Sequence, residues 1–456
     1  MAKLSDFWKK RILGDLGIFG RLWRFGDLEI WGFLGDCGDL GILVYKVLQM
    51  IWILWYWKEW KSTYNWLLKQ WFKPEEIKIL DKSVDEDYLD KLKEFDIIYK
   101  SPWISIYNEK VQTVKNKITS QAQVFFEKFK WKVILVSGSK WKSTTSTLMY
   151  LFLKQAWKNV KLVWNIWNPI FDEIDFSNPP EYVVFEISSY MLDSTPNVWC
   201  NYAILTNIYN VHTKWHKTHK NYVNAKFKLL NARKIASVNI ELKSLIPERK
   251  NVVWFGHETD YFFDNKYVFG KKYKLSLEKI KIAWAHNYQN IASCLPILET
   301  ENISQKDIEK VLSEFSGLEH RQEFVGEFGG VKYYNDSIAT IPESVLQVLN
   351  RFWKDLDTLI LWWQESSFDY TQLVKKINTS SVRNIILLPD SFNSYIGKFK
   401  NKNIFQVNSM EEAVKIAKKK TEKWKICVLS PWAPSLNMFK NFEERWKLFK
   451  KLVKNI

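Results

Sequence analysis

The sequence predicts an α/β protein of parallel sheets with crossover helices, and three observations predict it. Short apolar runs that read as strands alternate with helical stretches along most of the chain, the pattern parallel sheets require. One of these runs leads into a loop with the composition of a phosphate cradle and then into a helix. The 456 residues allow about three domains at roughly 150 residues each.

The elements follow in order. Residues 1–49 repeat Gly14-Asp15-Leu16, Gly26-Asp27-Leu28 and Gly38-Asp39-Leu40 without a persistent helix or strand period, and composition changes abruptly at Met50. We expect a spurious or disordered extension over 1–49, with Met50 as the functional start. The run 51–55 reads as a strand, followed by a turn and a helix over 62–70. Strands are expected at 77–80, ending at Asp81, and at 96–99, before Ser101-Pro102. The run 133–136 leads to the helix 143–155, and further strands fall at 182–185, 203–205, 358–361, 385–388 and 426–429. Seams near 120–130 and Gly317 divide the chain into 50–120, 121–317 and 318–456.

Composition narrows the class. Hydrophobic residues at 46% and charged residues at 26% exclude a disordered tail or a fibre. The longest uncharged apolar run, Met50 to Trp57, has 8 residues, against about 18 for a membrane span, so no membrane insertion is expected. Cys37, Cys200, Cys294 and Cys427 are isolated, without metal spacing, and read as reduced thiols. The N-terminus lacks an apolar segment with a cleavage site, so a cytoplasmic location is expected. The net charge of +17 is spread along the chain rather than gathered into a footprint, so no nucleic-acid partner is expected.

Tryptophan is the anomaly. Residues 50–456 hold 8 Gly and 22 Trp, together 30 of 407, and that total is about the usual 7% share of glycine alone. The tryptophans look as though they occupy the places of glycine.

The loop reads Ser137-Gly138-Ser139-Lys140-Trp141-Lys142-Ser143-Thr144-Thr145. Backbone N–H groups and a helix N-terminus can meet an anion, Lys142 can reach the β/γ-phosphates, and the Ser143 hydroxyl can hold Mg²⁺. Trp141 is physically poor there, because the position needs permissive backbone angles and close approach to phosphate. Trp55, Trp57 and Trp60 stand at the spacing of G-x-G-x-x-G after a strand. Trp103 follows Ser101-Pro102, Trp164 and Trp167 flank Asn165-Ile166, and Trp362-Trp363 end a strand. Turns at such places call for glycine.

Read with glycine for most of these tryptophans, the chain resembles the Mur ligases over essentially all of 50–456. The loops at 55–60 and 101–103 resemble the family's UDP-binding domain. The loop 138–144, Asn165-Ile166, Glu186-Ile187-Ser188-Ser189, the His212 segment, Ala225-Lys226 and His286-Asn287 with Asn290 resemble its ATPase domain. Gly317 to Arg321, Asn335-Asp336-Ser337, the 362–363 turn and Ser430-Pro431 through Ser435 to Phe442 resemble its C-terminal domain. The resemblance implies a Rossmann-like N-terminal domain, a central P-loop ATPase domain and a Rossmann-like C-terminal domain. The tryptophan excess is explained if the gene uses UGA for glycine at 55, 57, 60, 103, 141, 164, 167, 362 and 363, with Trp66 and Trp215 as true tryptophans.

The implied activity is ADP-forming amide ligation in peptidoglycan synthesis, using ATP and Mg²⁺. ATP phosphorylates the carboxylate of a UDP-linked muramoyl precursor, and an amino-acid amine displaces the phosphate. The branch most resembled adds D-glutamate to UDP-N-acetylmuramoyl-L-alanine, and a monomer is expected. By the same resemblance Gly138, Ser139, Lys140, Trp141, Lys142, Ser143, Thr144 and Asn165 cradle the phosphates. Glu186 and His212 ligate a second Mg²⁺, and Lys226 is carbamylated, so that its added oxygens also ligate the metal. Asn287 and Asn290 lie near adenine, and Arg321, His320 and Asp336 serve the closed site. Trp55, Trp57, Trp60, Asp81 and Ser101 face the UDP-linked substrate, while Thr340, Ser435 and Phe442 line the amino-acid pocket.

Departures from the pattern leave the amino acid open. Val211 and Lys214 replace acids beside His212, and Ile338 and Ser366 stand where basic residues are common. A sister Mur-type or folylpolyglutamate-synthase-like ligase is therefore a second reading. A basic, Trp-rich nucleic-acid-binding protein is a third, from another class.

Overall fold

The computed structural model describes residues 20–25, 28–34, 40–44, 51–54, 59–80, 87–163, 169–282, 285–318, 322–337, 342–362, 370–389, 393–431, 439 and 442–455. The chain divides into two compact units between Ser313 and Glu314.

The first unit opens with β1 (Gly20–Phe25), β2 (Leu28–Leu34) and β3 (Leu40–Val44), an antiparallel sheet. These strands fall within the segment 1–49 that the sequence reads as a spurious or disordered extension. The overlooked signal is Gly26-Asp27, a two-residue Gly-led spacer between apolar runs that suits a hairpin. Next, β4 (Ile51–Leu54), β5 (Ile77–Leu80), β6 (Ile97–Lys100) and β7 (Ile118–Thr119) form a parallel sheet in the order β5-β4-β6-β7. The crossover helix Glu59–Lys69 buries Leu67 and stacks Trp66 on Phe171 at 4.2 Å, which ties this sheet to the next.

The central sheet is parallel and six-stranded. Its strands are β8 (Lys132–Ser137), β9 (Val160–Val163), β10 (Tyr182–Glu186), β11 (Tyr202–Leu205), β12 (Ile235–Asn239) and β13 (Val252–Phe255). They lie in the order β13-β12-β11-β8-β10-β9. Val133 to Val136 are fully buried, which is why they read as an unbroken apolar run rather than an alternating one. A small antiparallel sheet of β14 (Phe262–Phe263), β15 (Tyr267–Phe269) and β16 (Lys274–Ser276) packs on the helix Ala285–Thr300.

The second unit holds β17 (Glu323–Phe328), β18 (Val331–Asn335), β19 (Leu356–Leu361), β20 (Asn384–Leu387), β21 (Asn403–Gln406) and β22 (Ile426–Leu429). Their order is β17-β18-β22-β19-β20-β21, parallel except for the β17–β18 hairpin. Gly329 and Gly330 close that hairpin with φ of 59° and 79°, angles that glycine takes without cost. Helices Pro342–Phe352 and Thr371–Asn378 cover one face, and Met410–Lys420 and Phe442–Lys454 cover the other. Among the described residues no helix is long and apolar enough to cross a membrane.

Candidate active site

The site is built at the carboxyl end of β8, where the order of the central sheet reverses. β9 and β10 lie to one side and β11 to β13 to the other. Such a switch point opens a crevice for ligands. Gly138 begins the loop there, and a Cβ on it would stand 1.9 Å from Thr206 Oγ1, so no other residue fits. The end of β11 pins the loop. Ser139 N donates to Asn207 O at 2.9 Å, Lys140 N donates to Asn207 Oδ1 at 2.8 Å, and Thr206 Oγ1 donates to Lys140 O at 2.8 Å. Trp141 then caps the helix Lys142–Gln155 with left-handed angles, φ 69° and ψ 2°, and its indole stacks on His286 at 5.7 Å. Ser143 is half-buried and Thr144 buried in the first helical turn.

Two lysines converge on one carbonyl. Lys142 Nζ donates to Gly138 O at 3.1 Å and Ser139 O at 3.4 Å, while Lys226 Nζ donates to Gly138 O at 2.9 Å and Ser137 Oγ at 3.2 Å. Lys226 is buried, and that burial, followed by the Lys142 charge, pushes its pKa well below the usual lysine value against the pull of Glu186. Glu186 ends β10 and is itself buried. Burial, then Lys142, Lys226 and His216, hold His212 down to about 4, so its imidazole is neutral at physiological pH. The Tyr190 hydroxyl lies 2.7 Å from His212 Nδ1, and burial keeps its proton up to about 12. The support for His212, in doubt from Val211 and Lys214, thus comes from a tyrosine far along the chain.

Beside it lies a knot of aromatic and polar groups that sequence reasoning missed. Trp215 Nε1 donates to Pro102 O at 3.0 Å and Trp103 O at 3.1 Å, and Ser105 Oγ donates to Trp215 O at 2.7 Å. Tyr190 stacks on Trp215 at 4.7 Å. The fully buried His216 places Nδ1 2.8 Å from Asp193 Oδ2 and Nε2 3.0 Å from Ser189 Oγ, and Tyr107 donates to Asp193 at 3.1 Å. Ser189 follows Glu186 by one strand-to-helix turn, so this chain of bonds fixes the His212 turn against the end of β10. Only the Trp215-His216 dipeptide hints at it in the sequence.

A second recess opens at the carboxyl edge of the four-stranded sheet, lined by Glu59, Trp60, Thr63, Lys100, Ser101 and Gln121. Two expected substrate residues, Trp60 and Ser101, meet there. Burial draws Lys100 down to about 7, opposed by Glu59 and Asp193, and burial raises Glu59 to about 7, opposed by Lys100. Lys100 Nζ also donates to Ser101 O at 3.0 Å and Ile104 O at 2.9 Å, bracing the loop that Trp215 holds.

On the helix Ala285–Thr300, Asn287 is half-buried and Asn290 is buried, with Asn290 Nδ2 lacking a hydrogen-bond partner among the described residues. In the second unit Asp336 accepts from Gln322 N at 3.1 Å and Ser430 Oγ at 2.8 Å. Phe442 begins the last helix. Trp55, Trp57, Asp81, Trp164, Asn165, Trp167, His320, Arg321, Ile338, Thr340, Trp363, Ser366 and Ser435 lie outside the described residues.

These residues fit a nucleotide. A helix N-terminus, two lysines and an orphaned buried amide are the chemistry that phosphates and a base would complete. Among the described residues no group of three His, Cys, Asp or Glu could hold a metal.

Comparison with known proteins gives the same reading. Residues 136–304 match the family model described as the Mur ligase middle domain. The UDP-N-acetylmuramoylalanine–D-glutamate ligase of Clostridium tetani is 31% identical over 400 residues, covering 81% of this chain and 85% of the relative. That of Acetivibrio thermocellus is 32% identical over 418 residues, covering 84% and 87%. Among solved structures, the MurF ligase from Thermotoga maritima in complex with ADP superposes with a TM-score of 0.55 at 16% identity, covering 81% of this chain and 92% of its own. The UDP-N-acetylmuramate–alanine ligase MurC of the same organism gives 0.56 at 15% identity, covering 87% and 99%. With the phosphate loop, its two lysines and this likeness along most of the chain, the protein belongs to the Mur ligase family of ATP-dependent, ADP-forming amide ligases.

Proposed function

We propose that the chain joins D-glutamate to UDP-N-acetylmuramoyl-L-alanine in the cytoplasm, acting as a monomer. The observation that carries this reading is the convergence of Lys142 and buried Lys226 on Gly138, beside Glu186 and His212. Likeness to relatives named for that reaction supports the choice of substrates. Residues 50–120 take the UDP-linked substrate, 121–317 the nucleotide and 318–456 the amino acid.

Bound MgATP supplies the γ-phosphoryl group that activates the substrate carboxylate as an acyl phosphate. Lys142 swings from the loop carbonyls to the β/γ-phosphates and neutralises the charge that develops there. The loop of Gly138, Ser139, Lys140 and position 141, with Thr144 and Asn165, aims backbone and side-chain donors at the same oxygens. Ser143 would hold the metal of the nucleotide, and Glu186 and His212 would hold a second. Lys226, buried and disfavoured as a cation beside Lys142, is suited to react as a neutral amine with CO₂. The new N–C bond would release one proton to solvent and leave an anionic carbamate whose oxygens could serve as metal ligands beside Glu186 and His212. Asn287 and Asn290 receive adenine, and Arg321, His320 and Asp336 take the roles in the closed site that the family resemblance gives them. Trp60, Ser101 and the Lys100–Glu59 pair hold the UDP-linked substrate with positions 55, 57 and 81, and Thr340, Ser435 and Phe442 receive the amino acid.

The test measures ADP release and product formation with ATP, Mg²⁺, UDP-N-acetylmuramoyl-L-alanine and a panel of amino acids, using both the chain as written and one with glycine at the nine positions named above. D-glutamate is expected to be preferred. Preference for another amino acid would make this a sister ligase, the reading that Ile338 and Ser366 favour. No turnover by either chain with any amino acid in the panel would refute the proposal.

A further inference from the structure

We infer that the tryptophans on left-handed backbone stand where the working protein carries glycine, the codon written as tryptophan being read as glycine. Ten non-glycine residues among those described have positive φ, and four are tryptophans: Trp71 at 73°, Trp141 at 69°, Trp157 at 58° and Trp424 at 70°. Tryptophan supplies only 25 of 456 residues, so its share of these positions is out of proportion. Left-handed angles are rare for a residue with a Cβ and a strained choice for a bulky one.

The surrounding hydrogen bonds identify what each place requires. Trp71 N donates to Leu68 O and Phe72 N to Leu67 O, while Trp157 N donates to Lys154 O and Lys158 N to Leu153 O. Each pair is the double bond that closes a helix through a left-handed residue, usually glycine and sometimes asparagine. The same pair occurs a third time, with Asn302 N on Glu299 O and Ile303 N on Leu298 O, and there the residue is asparagine. Trp424 sits third in a four-residue turn closed by Lys425 N on Glu422 O, where positive φ calls for glycine.

The side chains gain nothing in exchange. Trp71 is 83% exposed, Trp157 93% and Trp424 71%. True tryptophans of this chain behave otherwise: Trp66 stacks on Phe171, and Trp199 and Trp215 donate their indole N–H to backbone carbonyls. Trp362 is fully buried with an indole N–H that has no partner among the described residues, a second sign of an unselected side chain. Trp60 and Trp103, expected to be glycines from their spacing, do not have positive φ, unlike Trp71, Trp141, Trp157 and Trp424. UGA lies one base from UGG, which encodes tryptophan, and one base from GGA, which encodes glycine. One reassigned codon therefore accounts for both the glycine deficit and the tryptophan excess. The inference does not depend on which amino acid is ligated.

Peptide mass spectrometry of the protein isolated from its own cells reads these positions directly. Glycine is expected at 71, 141, 157 and 424, with tryptophan kept at 66, 199 and 215. Tryptophan at 71, 157 and 424 in the native protein would overturn the inference, as would UGG at those codons. A stability measurement on the written chain needs no native source. Trp71→Gly, Trp157→Gly and Trp424→Gly should each raise Tm by about 2–4 °C through relief of backbone strain, and a fall in Tm would show that the indoles belong there.

Discussion

The phosphate-loop turn at Trp141 and the knot around Trp215 lie in the same unit and use the same side chain under opposite conditions. At the turn, the residue takes φ 69°, and its ring stacks on His286 over the loop that should receive phosphates. In the knot, Trp215 is buried, spends its N–H on two backbone carbonyls and stacks on Tyr190. An indole belongs where its area and its one donor are both used. The comparison teaches that the identity of a residue in the chain and the demand of its place can be separated, and that the backbone records the demand.

The largest effect should come from cutting the knot. Trp215→Gly removes a buried aromatic and leaves the carbonyls of Pro102 and Trp103 without their donor, so about 3–5 kcal/mol of stability should be lost. Chemical denaturation measures it, and a loss below about 1 kcal/mol would place Trp215 with the exposed tryptophans. Next, Lys142→Ala should lower turnover roughly 10²–10³-fold, since its ammonium donates to the loop carbonyls of Gly138 and Ser139, within reach of the place phosphate would take. Full activity in that variant would put the phosphate site elsewhere. Tyr190→Phe joins the two regions. It keeps the stack on Trp215 and deletes the hydroxyl at His212 Nδ1, so turnover should drop about 10-fold while stability changes by less than about 1 kcal/mol. A large loss of stability instead would make the hydroxyl part of the knot rather than of the site.

Much of the fold was legible because parallel strands buried on both faces leave unbroken apolar runs. The strands at 77–80 and 426–429 have the expected limits, and β8 extends the expected 133–136 by one residue at each end. The short strands β14 to β16 were not legible, because two or three residues are too few to show a period. Lys142 could be named from the loop pattern that opens its helix, whereas Glu186, His212 and Lys226 were implied by the family resemblance and by no local period. The support for His212 was legible in neither. Tyr190 and His216 act through bonds to residues 22 to 27 positions away, and Trp215 holds carbonyls 112 and 113 positions away. No local pattern encodes such partnerships; only the packing of the two sheets in the first unit brings them together. The left-handed turns at Trp71, Trp157 and Trp424 were illegible for the opposite reason, since the residue that would have marked them is not the one written.

A substitution at the turn itself is the sharpest test of the comparison. Trp141→Gly changes one side chain at a position whose backbone already has the angles glycine prefers. Two costs disappear together: the strain of a bulky residue at positive φ, about 1–3 kcal/mol, and the ring that lies on His286 beside the loop. Not all of the gain can appear in binding, because strain present in both the free and the nucleotide-bound protein cancels between them. Only the part that opposes closure of the loop around phosphate is recovered, so ATP affinity should rise about tenfold by calorimetric titration. Restoring glycine also at 164 and 167, on either side of Asn165, should add to this. Unchanged affinity in the single and the combined variants would mean that the indole at 141 is tolerated by the phosphates, and that the turn and the knot differ in geometry without differing in fitness for tryptophan.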